Sequence, residues 1–373
     1  MRAISQAVPV NTDGNPVRQL FVTRSRVLAQ HVESAFRGLV DSTEIAFKTR
    51  PELQTIAEQA RQRPTRTLAE FDNEIDLRDD LPAKFSALKD FHFPLFVSFD
   101  KLCSLLEGDL PSQDKKGRKI VVRRKIEFDD FREKYWPQFK RHLTSTTDPA
   151  LVYSEIVGII KGSAEALESP DGCLTRIQYT DCLYRRVSSQ LTRSMRDTIY
   201  SIFEQYRIFK ARQFEWDHAD RTREILQNFK PKAPYRPVDY LYVPIRYLRF
   251  CRLIITALSY VDEVQDNLML DIHLMRKLCR DIQGTYWGGD TAQTVVVGSA
   301  FRIKDLKTFV YEDIRESKNI PTWTSPSTLF STFDLTVNFR SHSGIVDCAA
   351  FFVGVIYRLF PDSIDKIVET LCI

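Results

Sequence analysis

Apolar residues near the start of the chain change from the spacing of a strand to the spacing of a helix. Residues 19–23 (QLFVT) form a short apolar run that is typical of a β-strand. The apolar positions that follow recur every three or four residues and define one helix face: Leu28, Val32, Ala35, Phe36 and Leu39. The chain is therefore predicted to open as strand, loop and helix, which is one piece of an α/β unit.

The same alternation returns in the C-terminal third. Residues 239–243 (DYLYV) read as a strand, a short apolar strand ends in the acidic pair Asp262-Glu263 within residues 260–266 (YVDEVQD), and a further strand ends at residues 289–290. A helix between them is predicted from the spacing of Leu268, Ile272, Met275 and Cys279. A third strand at residues 333–338 runs into an apolar helix from Ile345. Alternating strands and helices favour an α/β fold with a parallel sheet.

Residues 46–217 have a different character, because charged helical patterns alternate with aromatic segments such as 92–99 (HFPLFVSF). Residues 185–213 read as a long polar helix. We therefore predict a mostly helical inserted subdomain. The densest basic run is 115–125 (KKGRKIVVRRK). It fits either an edge strand with basic flanks or a nucleic-acid contact.

Composition narrows the class of protein. The 373 residues suggest two or three domains, and 43% hydrophobic with 27% charged residues is a globular composition. The net charge of +4 does not by itself indicate nucleic acid, although it permits a local basic face. The seven cysteines are widely spaced and form no CxxC pair, which favours reduced thiols without structural zinc in an intracellular compartment, nuclear or cytoplasmic. The histidines form no metal-binding pattern.

Two apolar stretches imitate membrane spans. Residues 241–261 contain Arg246, Arg249 and Arg252, and residues 345–360 are short and contain two charged residues. Both are expected to lie in protein rather than lipid, so no membrane partner is predicted.

Three polar segments at predicted strand ends carry candidate chemistry. In residues 261–266, Asp262 can hold Mg²⁺ on a nucleotide and Glu263 can polarise an attacking water, or the acidic pair forms only a helix cap or turn. In residues 289–294 (GDTAQT), Gln293 can hydrogen-bond a phosphate oxygen, or the segment is only a turn. In residues 338–344 (NFRSHSG), Arg340 can clamp phosphate while Phe339 stacks on a base, or Phe339 is a core residue.

Together and in this order, these segments resemble the UvrD/Rep/PcrA group of superfamily 1 helicases. DEVQD resembles motif II, GDTAQT motif III and NFRSHSGI motif IV, while QLFVTRSRVL is similar to motif Ia. The resemblance covers residues 18–45 and 155–350. It is strongest to the UvrD-like domain of large tetratricopeptide- and ankyrin-repeat proteins of animals and fungi.

This resemblance implies a RecA-like architecture. Residues 1–45 and 218–341 would form the first RecA-like lobe, without its first strand and P-loop. Residues 46–217 would be the inserted 1B-like subdomain, and residues 342–373 would begin a second RecA-like lobe.

The resemblance also assigns an ATP and Mg²⁺ site. Asp262 would coordinate Mg²⁺, Glu263 would be the catalytic base, and Gln265 and Asp266 would complete motif II. Motif III would contribute Asp290 at the nucleotide and Gln293 as the γ-phosphate sensor. Motif IV would contribute Phe339, stacked on adenine, and Arg340 as the arginine finger.

A second set of residues would bind single-stranded DNA or RNA. Thr23 and Arg24 lie in the segment that resembles motif Ia, where Arg24 suits a phosphate contact. Phe301 and Arg302 resemble the Trp-Arg pair that grips single-stranded bases, and stacking on an aromatic ring tolerates any base sequence.

The chain also departs from the helicase pattern. No GxxxxGK[ST] segment occurs, and the late motifs of a second lobe are missing. Residues 244–259 separate the strand 239–243 from motif II and are predicted to be an insertion. We therefore expect a fragment, or a shortened gene model, of a longer helicase, with weak or no ATPase activity by itself. The alternative is a non-catalytic interaction module that keeps the helicase fold and binds protein or RNA.

Overall fold

A computed structural model gives the structure of the chain. It describes residues 17–45, 78, 80–111, 124–182, 191–228, 240–242, 264–279, 285, 287–290, 303–317, 331, 333, 337–338, 341–359 and 371–372. The chain divides into two compact units. The first comprises residues 1–110, 230–262 and 278–288, and the second comprises residues 111–229, 263–277 and 289–373.

The first unit contains a three-stranded parallel sheet. Strand β1 (Gln19–Thr23) lies in the middle, between β2 (Leu95–Ser98) and β5 (Tyr240–Tyr242). Leu20 of β1 is aligned with Leu95 on one side and Leu241 on the other. The strands predicted near residues 19–23 and 239–243 are thus confirmed, as is a parallel sheet in a mixed α/β chain.

Two strands of this sheet pass directly into helices. Helix α1 (Arg26–Ile45) follows β1, and α2 (Phe99–Gly108) follows β2. The Ser25 hydroxyl oxygen accepts the Leu28 N–H at 3.3 Å, and Ser98 accepts the Lys101 N–H at 3.1 Å. These hydroxyl groups satisfy donors that the first helical turn leaves without an intrahelical partner. The predicted helix after residue 25 is confirmed.

Strand β2 joins the sheet from a segment that the sequence groups with the insertion. Every residue of β2 is buried, which is typical of a strand covered on both faces and removes the alternating pattern that marks a half-exposed strand. Phe96 packs against Phe21 of β1, with ring centroids 4.7 Å apart. The limits of the two compact units therefore differ from the predicted domain limits. The predicted domain limits stay predictions.

The second unit is mainly helical. Its long helices are α3 (Arg193–Gln213), α4 (His218–Asn228), α5 (Met269–Leu278, whose last residue falls in the first unit), α6 (Ile303–Ser317) and α7 (Ser343–Leu359). Strand β3 (Arg124–Ile126) pairs in parallel with β4 (Glu215–Asp217), and β6 (Val337–Asn338) pairs in parallel with β7 (Leu371–Cys372). The predicted helices over residues 268–279 and from Ile345 are confirmed. No residue of α7 is buried, however, and Ile345, Phe351 and Leu359 are exposed, so the expectation that this apolar stretch lies buried in protein is wrong.

Short helical turns complete the described elements. Two lie in the first unit, at Phe85–Ala87 and Asp90–His92. The others are Phe128–Asp130, Phe131–Tyr135, Trp136–Gln138, Arg141–Thr144, Pro149–Ser154, Glu155–Ile160, Ala164–Glu168, Gln178–Cys182 and Val264–Asp266. None of the described helices is both long and apolar enough to cross a membrane.

Aromatic residues fill the core of the second unit around Phe131. Its ring lies 5.1 Å from Tyr153 and 5.5 Å from Tyr206 of α3. Phe131 and Tyr206 are fully buried. Burial of such large side chains supplies most of the hydrophobic free energy that holds α3 to the preceding helical turns.

A buried ionic network lies beside this aromatic core. Asp217, at the end of β4, is fully buried and accepts hydrogen bonds from Lys161, Lys210 and the Tyr206 hydroxyl. Asp220 pairs with the same two lysines. Burial lowers the pKa of Lys161 to about 8, although both aspartates favour its charged form. Burial alone would raise the pKa of Asp217, but the two ammonium groups hold it well below its usual range.

Replacing Asp217 by Asn should strongly destabilise the fold. The substitution keeps the shape but leaves two buried ammonium groups without their main counter-charge, so the free energy of unfolding should fall by about 3–5 kcal/mol. Urea denaturation followed by tryptophan fluorescence would measure this. Asp197→Asn removes an exposed carboxylate that pairs with Arg176 and should cost less than about 1 kcal/mol. Equal losses in the two variants would contradict the prediction.

Candidate functional site

The DEVQD segment ends in a tight turn that leads into α5. Val264–Asp266 forms a single 3₁₀ turn, and the Asn267 N–H bonds to the Val264 carbonyl at 3.1 Å. Val264 is buried and Gln265 is fully buried. A buried glutamine needs a hydrogen-bond partner for its side-chain amide. The partner of Gln265 therefore shows which segment packs against the turn.

Gln265 joins this turn to the segment that begins with Gly289. Its side-chain oxygen accepts the backbone N–H of Asp290 at 3.0 Å, across 25 residues of sequence. The hydrogen bond brings together two of the polar segments that the sequence singles out, DEVQD and GDTAQT. Both ends of the bond lie in the second unit.

Gly289 makes this approach possible because it has no side chain. A Cβ placed there would lie 2.6 Å from the Gln265 amide oxygen and 2.6 Å from Cγ1 of Val264. Both distances are too short for real contacts. The glycine is therefore required by the close passage of the two segments rather than by an unusual backbone angle.

Asp271 fixes the start of α5 immediately after the turn. Its fully buried carboxylate accepts the Leu268 N–H at 3.0 Å, which caps the helix. The same carboxylate contacts Nε2 of His218 at 2.7 Å and accepts the Thr222 hydroxyl at 2.7 Å. His218 and Thr222 lie one turn apart on α4, so α4 holds the first turn of α5.

A second backbone contact supports the same helix start. The Leu270 N–H donates to the Gly162 carbonyl at 3.2 Å, next to Lys161 of the buried ionic network. The turn that carries Gln265 is thus attached to α4 through Asp271 and to the 161–162 turn through Leu270.

Sequence reasoning missed Asp271, His218 and Thr222. An aspartate in the first turn of a predicted helix is a recognisable capping signal, so Asp271 had a local signature. Its partners lie 53 and 49 residues earlier in the chain, and nothing in the local pattern links them.

Thr23 and Arg24 lie in the first unit, at the carboxyl end of β1. The Thr23 side chain is buried, and its hydroxyl oxygen accepts the Ser25 N–H at 3.3 Å. Arg24 follows and is half-buried. The carboxyl ends of parallel strands are where ligands bind in open α/β sheets, which is the edge that these two residues occupy.

The other predicted site residues lie outside the described residues: Asp262, Glu263, Gln293, Phe301, Arg302, Phe339 and Arg340. The same holds for residues 244–259 and for most of the basic run 115–125. Within the described part of the chain, no group of three or more His, Cys, Asp or Glu residues has an arrangement that could hold a metal ion.

The chain is similar to human TPR and ankyrin repeat-containing protein 1. The two are 25% identical over an alignment of 399 residues, which covers 94% of this chain and 12% of the human protein. No protein-family model matches the chain. The predicted similarity to a large tetratricopeptide- and ankyrin-repeat protein is thereby confirmed.

Replacing Gly289 by Ala should loosen the junction. The added methyl group would meet Gln265 and Val264, so stability should fall by about 1–3 kcal/mol. Chemical denaturation would measure the change. The matched control is Gly38→Ala in α1, where no atom lies within 4 Å of the new Cβ. That change should raise stability by about 0.5–1 kcal/mol. A neutral effect at Gly289 would show that the segments do not pack closely.

His273 of α5 should make the fold sensitive to acid. Its ring lies 4.2 Å from Phe309 of α6, and burial lowers the pKa of His273 from 6.5 to about 4, with Asp313 opposing the shift and Lys277 adding to it. The unfolded chain therefore binds the proton first as the pH falls. The free energy of unfolding should decrease from about pH 6.5 down to about pH 4.

His273→Gln should flatten this part of the pH profile, as measured by urea midpoints at successive pH values. The control is His142→Gln, which changes an exposed histidine and should leave the slope as it is. An unchanged slope in the His273 variant would contradict the assignment.

Proposed function

We propose that the chain is part of a UvrD-like, ATP-dependent helicase domain. The complete domain would bind ATP with Mg²⁺ and couple hydrolysis to movement along single-stranded DNA or RNA. The observation that carries this proposal is the hydrogen bond from the Asp290 N–H to Gln265. It unites the segments that resemble motifs II and III, as a single nucleotide site requires.

The parallel sheet of the first unit supports a RecA-like lobe in this proposal. Strand β1 runs into α1 and β2 runs into α2, so helix N-termini follow the carboxyl ends of two adjacent strands. Such an edge favours phosphate groups, because the positive ends of the helix dipoles point towards it. Thr23 and Arg24 would contact nucleic acid from this edge. Phe301 and Arg302 would be separate nucleic-acid contacts, as the resemblance to the helicases implies.

The chemistry of the DEVQD carboxylates fits Mg²⁺, which binds oxygen ligands and commonly uses one or two carboxylates together with substrate phosphates. In this proposal Asp262 would hold the ion. When bound, Mg²⁺ neutralises charge that develops on the transferring phosphoryl group. Glu263 would accept the proton of the attacking water. Gln265, two residues after Glu263, is fully buried in the turn that precedes α5.

The remaining roles belong to motifs III and IV. Gln293, three residues after Asp290, would contact the γ-phosphate through its neutral amide. Phe339 would stack on adenine. Arg340 would place a guanidinium against the charge of the transition state, a contribution that is large in phosphoryl transfer.

The chain contains no P-loop, so its affinity for nucleotide should be low. In the P-loop a lysine and successive backbone N–H groups supply much of the charge neutralisation around the phosphates. The isolated chain is therefore expected to show weak or no turnover. The whole activity is proposed for the longer protein, since this chain matches only 12% of its human relative.

Nucleotide binding tests the proposal directly. A fluorescent ATP analogue should bind the chain weakly in the presence of Mg²⁺, and Asp262→Asn should weaken binding at least about tenfold, as loss of a metal ligand does. Asp129→Asn, an exposed carboxylate in the second unit, is the control and should bind normally. Nucleotide binding that is unchanged by removal of Mg²⁺ and by Asp262→Asn would favour a non-catalytic interaction module.

Turnover is measured in the same preparations with and without single-stranded nucleic acid. Phosphate release should stay at background. A stimulated release that disappears in Glu263→Gln would overturn the expected inactivity of the isolated chain while supporting the helicase assignment.

A further inference from the structure

The C-terminal end of α3 carries an exposed patch that the proposed ATP site does not use. Phe214 is 73% exposed and Ile208 is 48% exposed. Arg207, Ala211 and Arg212 are exposed on the same last turns of the helix. We call these five residues the α3-end patch.

Phe214 adopts a backbone conformation that its side chain does not favour. It caps α3 with φ 53° and ψ 39°, in the left-handed region, and its N–H bonds to the carbonyls of Ala211 and Lys210. Glycine is the usual residue at such a cap, because a Cβ is strained there. The phenylalanine ring gains little burial in return, since Phe214 is 73% exposed, so the turn itself does not explain why an aromatic side chain stands at this position.

The two arginines of the patch have no acidic partner within the described residues. Arg207 lies over the Phe203 ring at 6.0 Å, and Arg212 extends from the last turn. The exposed Glu204 nearby on α3 is engaged by Arg176 at 2.9 Å. Lys210, between the arginines, turns inward to Asp217. Among the described residues, the positive charge of the patch is therefore not balanced by an ion pair.

The chain also brings the end of the basic run to this place. Strand β3 follows residues 115–123, and its Arg124 is aligned with Glu215, the residue after Phe214. Arg124 itself is paired with Asp130.

We propose that the α3-end patch binds single-stranded nucleic acid, with one base stacked on Phe214 and phosphates held by Arg207 and Arg212. An exposed ring with flanking cations is the arrangement that sequence-tolerant strand binding uses. An acidic peptide would pair with the arginines but would gain little from the ring. The proposal extends the proposed function by adding a contact on the second unit, and it requires no bound nucleotide.

Fluorescence anisotropy with labelled oligothymidylate and oligouridylate of about 20 nucleotides, in the absence of ATP, tests the patch. Phe214→Gly should weaken binding about tenfold, the effect of losing one stacked base. Because glycine suits the left-handed cap, the same variant should melt at an equal or higher temperature, which separates lost binding from lost folding. Phe91→Ala removes an exposed ring that has Lys89 beside it, and binding should be unchanged.

The charge component has its own readout. Arg207→Gln combined with Arg212→Gln should reduce the slope of log affinity against log salt by about one to two. Unchanged affinity in Phe214→Gly, or no binding by the unaltered chain, would overturn the proposal. Equal competition by polyglutamate would also overturn it, because charge alone would then explain binding. The ATP-analogue experiment reports on the proposed function separately, since it needs no oligonucleotide.

Discussion

A carboxylate removed from water must be paired or fully hydrogen-bonded, and this constraint organises the second unit. Asp217 satisfies it with two lysines and a tyrosine that come from different parts of the chain. Each donor must arrive at the same point for the charge to be tolerated. The network therefore fixes where the 161–162 turn, the end of α3 and the start of α4 lie with respect to one another.

That arrangement also holds the first turn of α5, which follows the turn that carries Gln265. His218 follows Asp217 directly and contacts Asp271, while Gly162 follows Lys161 and accepts the Leu270 N–H. The first turn of α5 is thus held by the residues next to both members of the central ion pair. Since the turn carrying Gln265 leads straight into α5, the position of Gln265 depends on charges that lie outside the DEVQD and GDTAQT segments.

Local patterns predicted the elements whose signal lies within one segment. A local apolar run was sufficient to predict β1 and α7, and helical spacing of apolar residues was sufficient to predict α1 and α5. Periodicity was insufficient for β2, which is buried throughout and so has no alternation. DEVQD and GDTAQT can be recognised in the sequence as two separate polar segments. The hydrogen bond between Gln265 and Asp290 spans 25 residues, however, and depends on the tertiary structure. The pairing of Lys161 with Asp217 spans 56 residues and has no local signature at all.

The end of α3 has a backbone geometry that the fold requires, but this requirement does not explain the side chain of Phe214. Lys210 must point inward to reach Asp217, and β4 must begin soon after the helix so that Asp217 reaches the lysines. A left-handed residue between helix and strand turns the chain sharply enough to do this, and any sequence that keeps the network needs that turn. Glycine would provide the turn with less strain. The backbone geometry therefore accounts for a residue with positive φ at position 214, whereas the aromatic ring needs a reason outside the fold, which the proposed stacked base would supply.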